Sequence, residues 1–249
     1  MRHINNLFLW ACILTFSLNA SCGLASESNV TNKALLEKEP QKKYDYLLYL
    51  PKAYAESKKK YPLVIYLHGS SQKGNDLNRL KSYGIPRRVE QGHDFDFIIA
   101  CPQCPSTAGT WASENWFDLL FSELTSKYNV DLTRGYLTGV SMGGGGTFEI
   151  AKRNPDIFAA LVPLCAWASS SDNICKLNKI PIWTLHGALD TTVPISETED
   201  KVSRLKECKG NIKFTKLDNE GHQIHWIYED KSQYNIFDWM LMHKKTESK

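Results

Sequence analysis

The sequence predicts an α/β protein with a doubly wound, mainly parallel sheet flanked by helices. Short apolar runs alternate with longer amphipathic stretches of helical length. Several of those runs are apolar throughout, as strands covered on both faces should be. No repeat or low-complexity linker interrupts the pattern, and strand–helix units in series favour a parallel sheet with right-handed crossovers.

Taken in order, strands are predicted over 44–50, 63–67, 97–100, 136–138, 160–164, 182–185 and 212–217. Helices fit between them over 116–128, 142–154, 196–208 and 234–243. The third helix has a clean start, because Ser196 and Glu199 follow Pro194 with the spacing of a capping box. Residues 26–43 are polar and are expected to be loose, so one domain is assigned to 44–249.

At 249 residues the chain is long enough for one α/β domain with a large core, and its 42% apolar and 23% charged content is ordinary for a soluble protein. The formal net charge of +3 offers no electrostatic case for nucleic acid. Lys58, Lys59 and Lys60 form the densest basic run, and they precede Tyr61-Pro62, where a solvated turn is expected.

Residues 1–25 read as an export signal: Arg2 and His3 precede an apolar run too short to span a bilayer comfortably, followed by small residues. Gly23-Leu24-Ala25 fits a peptidase site that leaves Ser26 first. Ala20-Ser21-Cys22 instead resembles a relaxed lipobox in which Cys22 is acylated, giving the one expected route to a membrane. Either way the chain is expected to be exported, whether secreted, periplasmic or lipid-anchored.

Beyond that segment stand Cys101, Cys104, Cys165, Cys175 and Cys208, an odd number. The C-x-x-C spacing of Cys101 and Cys104 has no second such pair and no histidine at finger spacing, which argues against zinc. Loop residues, oxidised in an exported protein, are the expected reading. A bridge among Cys165, Cys175 and Cys208 is plausible from composition, with the partners left open.

Gly139-Val140-Ser141-Met142-Gly143 lies between a predicted strand and a predicted helix. A G-x-S-x-G pentapeptide there makes a nucleophile elbow, whose tight turn lifts the serine hydroxyl clear of the sheet and aims a helix N-terminus at it. Gly143 to Gly146 are four consecutive glycines, each unfavourable in a helix by up to about 1 kcal/mol relative to alanine. Close packing under the elbow explains the first two, and the sequence gives no separate reason for Gly145 and Gly146. A nucleotide loop is unsupported, because no Walker lysine follows and the glycine spacing is not G-x-G-x-x-G.

After Ser141 come His186-Gly187-Ala188-Leu189-Asp190 and Glu220-Gly221-His222, completing the chain order Ser, Asp, His. From residue 44 onward the chain resembles the α/β-hydrolase superfamily. The segments Leu67-His68-Gly69-Ser70-Ser71, Pro102-Gln103-Cys104-Pro105 and His186-Gly187 with Val193-Pro194 resemble its branch of secreted esterases often labelled predicted peptidases. That branch is related to dienelactone hydrolases, feruloyl esterases and acetyl xylan esterases.

The resemblance implies Ser141 as nucleophile, His222 as base and Asp190 as the acid that orients it. It implies an oxyanion hole from the backbone N–H groups of Met142 and Ser70, although Ser70 and Ser71 replace the glycines of an HGGG loop. No cofactor and no metal are implied. Asp218 and Glu220 are rivals for the acid, as is His225 for the base, but none stands at the expected turn. His68 and His186, each before a glycine at a strand end, are expected to hydrogen-bond their turns; His93 and His243 are expected to be exposed.

Trp183 and Trp239 are expected in the core. Trp111, Trp116, Trp167 and Trp226 fall on loops that converge, in the implied fold, over the carboxyl ends of the strands, where ligands bind. They are the candidate substrate-binding residues, and aromatic walls would suit small, phenolic or carbohydrate-borne esters; loop packing is the competing role. The expected activity is hydrolysis of carboxylic esters through an acyl-enzyme. A peptidase using the same three residues and an exported binding module with a vestigial site are the alternatives.

Overall fold

The computed structural model describes residues 11–12, 44–113, 115–229 and 233–246. The expected export segment, the loose stretch 26–43 and Cys22 therefore lie outside the described residues, apart from a two-residue strand β1 (Ala11–Cys12). The remaining strands are β2 (Tyr46–Tyr49), β3 (Tyr61–Leu67), β4 (Ile98–Pro102), β5 (Val130–Val140), β6 (Ala160–Leu164), β7 (Ile182–Gly187) and β8 (Ile212–Leu217). Their spatial order is β1-β2-β4-β3-β5-β6-β7-β8. Pairing is parallel from β4 through β8, while β2 runs antiparallel to β4 and β1 antiparallel to β2.

Helices cover both faces: α1 (Gly84–Glu90), α2 (Phe117–Lys127), α3 (Met142–Arg153), α4 (Ser196–Glu207) and α5 (Ile236–Leu241). The strand side chains divide between the two layers in strict alternation. On β3, Leu63, Ile65 and Leu67 join a core with Leu120 of α2, Phe148 of α3 and Leu205 of α4. Val64 and Tyr66 point the other way, into a core with Ile85 and Val89 of α1 and Ile236 and Met240 of α5. Both layers are apolar, so β3 is buried along its whole length and its sequence shows no polar alternation.

Several expectations change in detail. α1 has no counterpart in the predicted helices, because seven residues containing Pro86 and beginning with Gly84 give no helical periodicity to read. The Ser196–Glu199 capping box does not form. Ile195 is the N-cap, so Ser196 is already the first helical residue, and no side chain caps the turn. Cys101 and Cys104 are buried thiols, not an oxidised loop pair: Cys101 lies within β4 facing one core, while Cys104, just after the strand, faces the other. The bridge is Cys175–Cys208, with Cα atoms 5.8 Å apart, joining a 3-10 turn to the end of α4. His93 and His243 are half-buried, with rings 4.2 Å and 4.5 Å from those of Phe95 and Trp239. Among the described residues, no helix is long and apolar enough to cross a membrane.

Candidate active site

The carboxyl ends of the central strands supply the site. Ser141 follows β5, Asp190 follows β7, His222 follows β8, and the turn Gly69–Ser70 follows β3. Ser141 takes φ 58° and ψ −116°, a left-handed conformation that a non-glycine residue adopts only under constraint from its surroundings. Those constraints are visible. Its N–H donates to Leu164 O at 2.9 Å, and its carbonyl accepts from Gly145 N–H and Trp167 N–H, both at 3.0 Å.

All four glycines after the elbow are explained by contact. A Cβ on Gly143 would lie 1.9 Å from Leu67 O, one on Gly144 2.3 Å from Leu164 O, one on Gly145 1.7 Å from Trp167 O, and one on Gly146 2.6 Å from the Trp111 side chain. The first turn of α3 is thus pressed on three sides against β3, β6 and the loop after β6.

Ser141 Oγ–H donates to His222 Nε2 at 2.9 Å, and His222 Nδ1–H donates to Asp190 Oδ2 at 2.7 Å. The carboxylate facing Nδ1 places the proton there and leaves Nε2 as the acceptor. Asp190 Oδ1 accepts from the N–H groups of Thr192 and Val193, each at 2.8 Å. Burial raises the Asp190 pKa, but donation from Val193, His222 and Thr192 outweighs it and holds the carboxyl below the ordinary range. The loops that carry Asp190 and His222 are joined beside these groups: Leu189 N–H donates to Glu220 O at 2.9 Å, and a Cβ on Gly187 would meet Gly221 O at 2.2 Å.

Met142 is the first residue of α3 and Ser70 the first of a 3-10 turn, so neither N–H has a partner within its own helix. Gly69 packs against Ser141, since a Cβ on it would come within 3.6 Å of Ser141 Cβ. A cleft of about 400 Å³ opens here, lined among others by Ser70, Tyr83, Ser141, Trp167, His222 and His225. Among the described residues, no aspartate, glutamate, lysine or arginine lines it.

Of the four candidate tryptophans only Trp167, 43% exposed, lines this cleft. Trp111 and Trp116 are 0% exposed and belong to the core. Trp111 Nε1–H donates to His68 O at 3.0 Å and Trp116 Nε1–H to Trp111 O at 2.9 Å, so their polar atoms are satisfied internally. Trp226 packs beside Tyr234, 6.0 Å between rings, and is not among the residues lining the cleft. Of the rivals, Asp218 is exposed and His225 faces the cleft with its ring 5.1 Å from Tyr83.

His68 bonds its turn, through Nδ1–H to Gly69 O at 2.6 Å, and accepts from Cys104 N–H at 3.0 Å. His186 does more than that. Its Nε2 approaches Val193 O at 3.0 Å and Asp190 Oδ2 at 3.2 Å, a contact invisible in sequence. Among the described residues, Cys165, Asp190 and His222 place potential metal ligand atoms within 4.8 Å of one another. Burial pushes the Cys165 thiol up to about 12, and the carboxylate and imidazole are already bonded to each other, so the trio is poorly prepared for a cation.

No known protein-family profile matches the chain. It is similar in structure to a thermostable esterase, with 25% identity, a TM-score of 0.65, and coverage of 80% of this chain and 59% of that one. A ferulic acid esterase of Anaeromyces mucronatus shares 18% identity at a TM-score of 0.59, over 74% of this chain and 81% of the other. The chain has the α/β-hydrolase fold. In sequence, the chain is 25% identical over 147 residues to a bifunctional acetylxylan esterase/xylanase of Neocallimastix patriciarum, 55% of this chain and 20% of that protein. The chain spans less than half the length of the curated relatives it matches.

Proposed function

We propose that the chain is a serine carboxylic-ester hydrolase acting on small, phenolic or carbohydrate-borne esters through an acyl-enzyme. The observation that carries this reading is the continuous hydrogen-bonded series from Ser141 Oγ through His222 to Asp190, at the mouth of a cleft.

In this reading Ser141 Oγ attacks the ester carbonyl carbon while its proton passes to His222 Nε2. Asp190 keeps the ring in the required tautomer and stabilises the imidazolium. Negative charge gathering on the carbonyl oxygen meets the N–H groups of Met142 and Ser70, and each such donor is worth about 2.7–4 kcal/mol in the transition state. The imidazolium then protonates the departing alcohol as the C–O bond breaks. Water, deprotonated by His222, attacks the acyl-enzyme in turn and releases the acid and Ser141.

The substrate class is supported by the uncharged lining of the cleft, by exposed Trp167, and by relatives described as acetylxylan and ferulic acid esterases. Export through residues 1–25 is supported by the Cys175–Cys208 bridge, which persists in oxidising compartments. Purified protein should react with a fluorophosphonate probe and hydrolyse acetyl, butyryl and feruloyl esters in preference to aminoacyl amides. A Ser141→Ala control should do neither. An unlabelled Ser141 would refute the reading.

A further inference from the structure

Two imidazoles, not one, meet the carboxylate of Asp190. His222 Nδ1–H reaches Oδ2 at 2.7 Å, and His186 Nε2 stands 3.2 Å from the same oxygen. His186 is fully buried, so water cannot substitute for any of its contacts. Its Nε2 faces two acceptors, Asp190 Oδ2 and Val193 O, and must therefore carry the proton. Its Nδ1 then accepts from Thr198 Oγ1–H at 2.8 Å, which fixes that tautomer from α4. Thr192 and Val193 donate to Oδ1 and His222 donates to Oδ2, while the His186 Nε2–H, which donates to Val193 O, also stands against Oδ2 at 3.2 Å.

We propose that His186 is a positioning residue for the hydrolytic reaction: its Nε2–H and the Thr198 hydroxyl behind it hold Asp190 Oδ2 in line with His222 Nδ1 and share its negative charge. The inference rests on the triad reading above. The other groups facing this carboxylate are Cys165, kept as a neutral thiol by burial, and His222 itself. His186 is also kept neutral, since burial depresses its pKa despite the adjacent carboxylate. A neutral donor withdraws charge from Oδ2 without competing as a counter-ion. Its removal should concentrate charge on Oδ2, strengthen the imidazolium of His222 and move the acid limb of activity to higher pH.

The test compares His186→Leu, His186→Gln and Thr198→Val. In His186→Leu, kcat for a small ester should fall roughly 10- to 100-fold with KM within about twofold, the loss expected for one hydrogen bond to a charged group. The acid limb of kcat/KM against pH should rise by at least about 0.3 unit. The low-field proton NMR resonance of His222 Nδ1–H should shift. His186→Gln restores an N–H near the same place and should return the limb towards wild type. A role confined to packing would lower thermal stability and leave the limb and the resonance unmoved. A folded His186→Leu with wild-type limb and resonance overturns the proposal. Should His186→Leu fail to fold, Thr198→Val decides: a displaced limb and resonance support the proposal, and unchanged ones overturn it. If wild type proves unreactive towards fluorophosphonate, the triad reading has failed, and the resonance alone still reports whether His186 governs the Asp190–His222 bond.

Discussion

His68 should make the protein markedly less stable in mild acid, by an amount that its surroundings fix. The ring is fully buried, its Nε2 accepts from Cys104 N–H, and the Trp111 indole lies 4.8 Å away between ring centres. A proton on Nε2 would destroy that acceptor and place a charge where water cannot reach. Burial therefore depresses the pKa from an ordinary 6.5 to about 4. The unfolded chain takes up this proton near 6.5, whereas the folded chain resists until about 4, so stability falls as pH drops through that window and levels off below it. The full difference corresponds to about 3.4 kcal/mol, and about 2.4 kcal/mol of it should be lost between pH 7 and pH 4.5. Urea unfolding of wild type and His68→Gln at those two pH values isolates the effect, because other histidines contribute equally to both proteins. Wild type should lose about 2.4 kcal/mol more than the variant over this range. Parallel losses, or an imidazole NMR signal of His68 titrating near 6.5, would refute the reasoning.

Four further outcomes follow from the same contacts. Ser141→Ala should fold normally and lose roughly 10⁴- to 10⁶-fold in kcat on p-nitrophenyl acetate, measured against an uncatalysed blank. Gly145→Ala should destabilise by more than about 1–3 kcal/mol in thermal unfolding, since its methyl would stand 1.7 Å from Trp167 O and backbone must move. Replacing Cys175 and Cys208 together by serine should lower unfolding free energy by roughly 3.7 kcal/mol, from opening a loop of 33 residues. Trp167→Ala and Trp111→Ala should separate cleanly: the exposed residue should change KM across an ester panel with little effect on melting. The buried one should cost about 3–5 kcal/mol of stability.

Comparison of the four tryptophans shows where reading from sequence stops. Trp111 and Trp116 lie in a stretch rich in Ser, Thr, Gly and Ala that carries every sign of a surface loop, yet both indoles turn inward and close the core against α3. Loop composition reports on the backbone and is silent about which way a long side chain points. Gly146 marks the packing, because only a glycine leaves room for the Trp111 ring, but that meaning emerges once the two segments are adjacent. The capping box shows the same gap at short range, since a one-residue shift in helix start left Ser196 without a capping role.

The order of the strands β2 to β8 along the chain, their apolar character and the elbow around Ser141 were determined by the sequence alone, because hydrophobic periodicity and turn chemistry act between near neighbours. The tertiary structure decided which distant groups meet: that β3 sits between β4 and β5, that Cys175 pairs with Cys208, and that His186 shares the carboxylate of Asp190 with His222. Such meetings depend on how separate segments are brought side by side by packing, and no local pattern in the chain encodes the direction in which a buried side chain will find its partner.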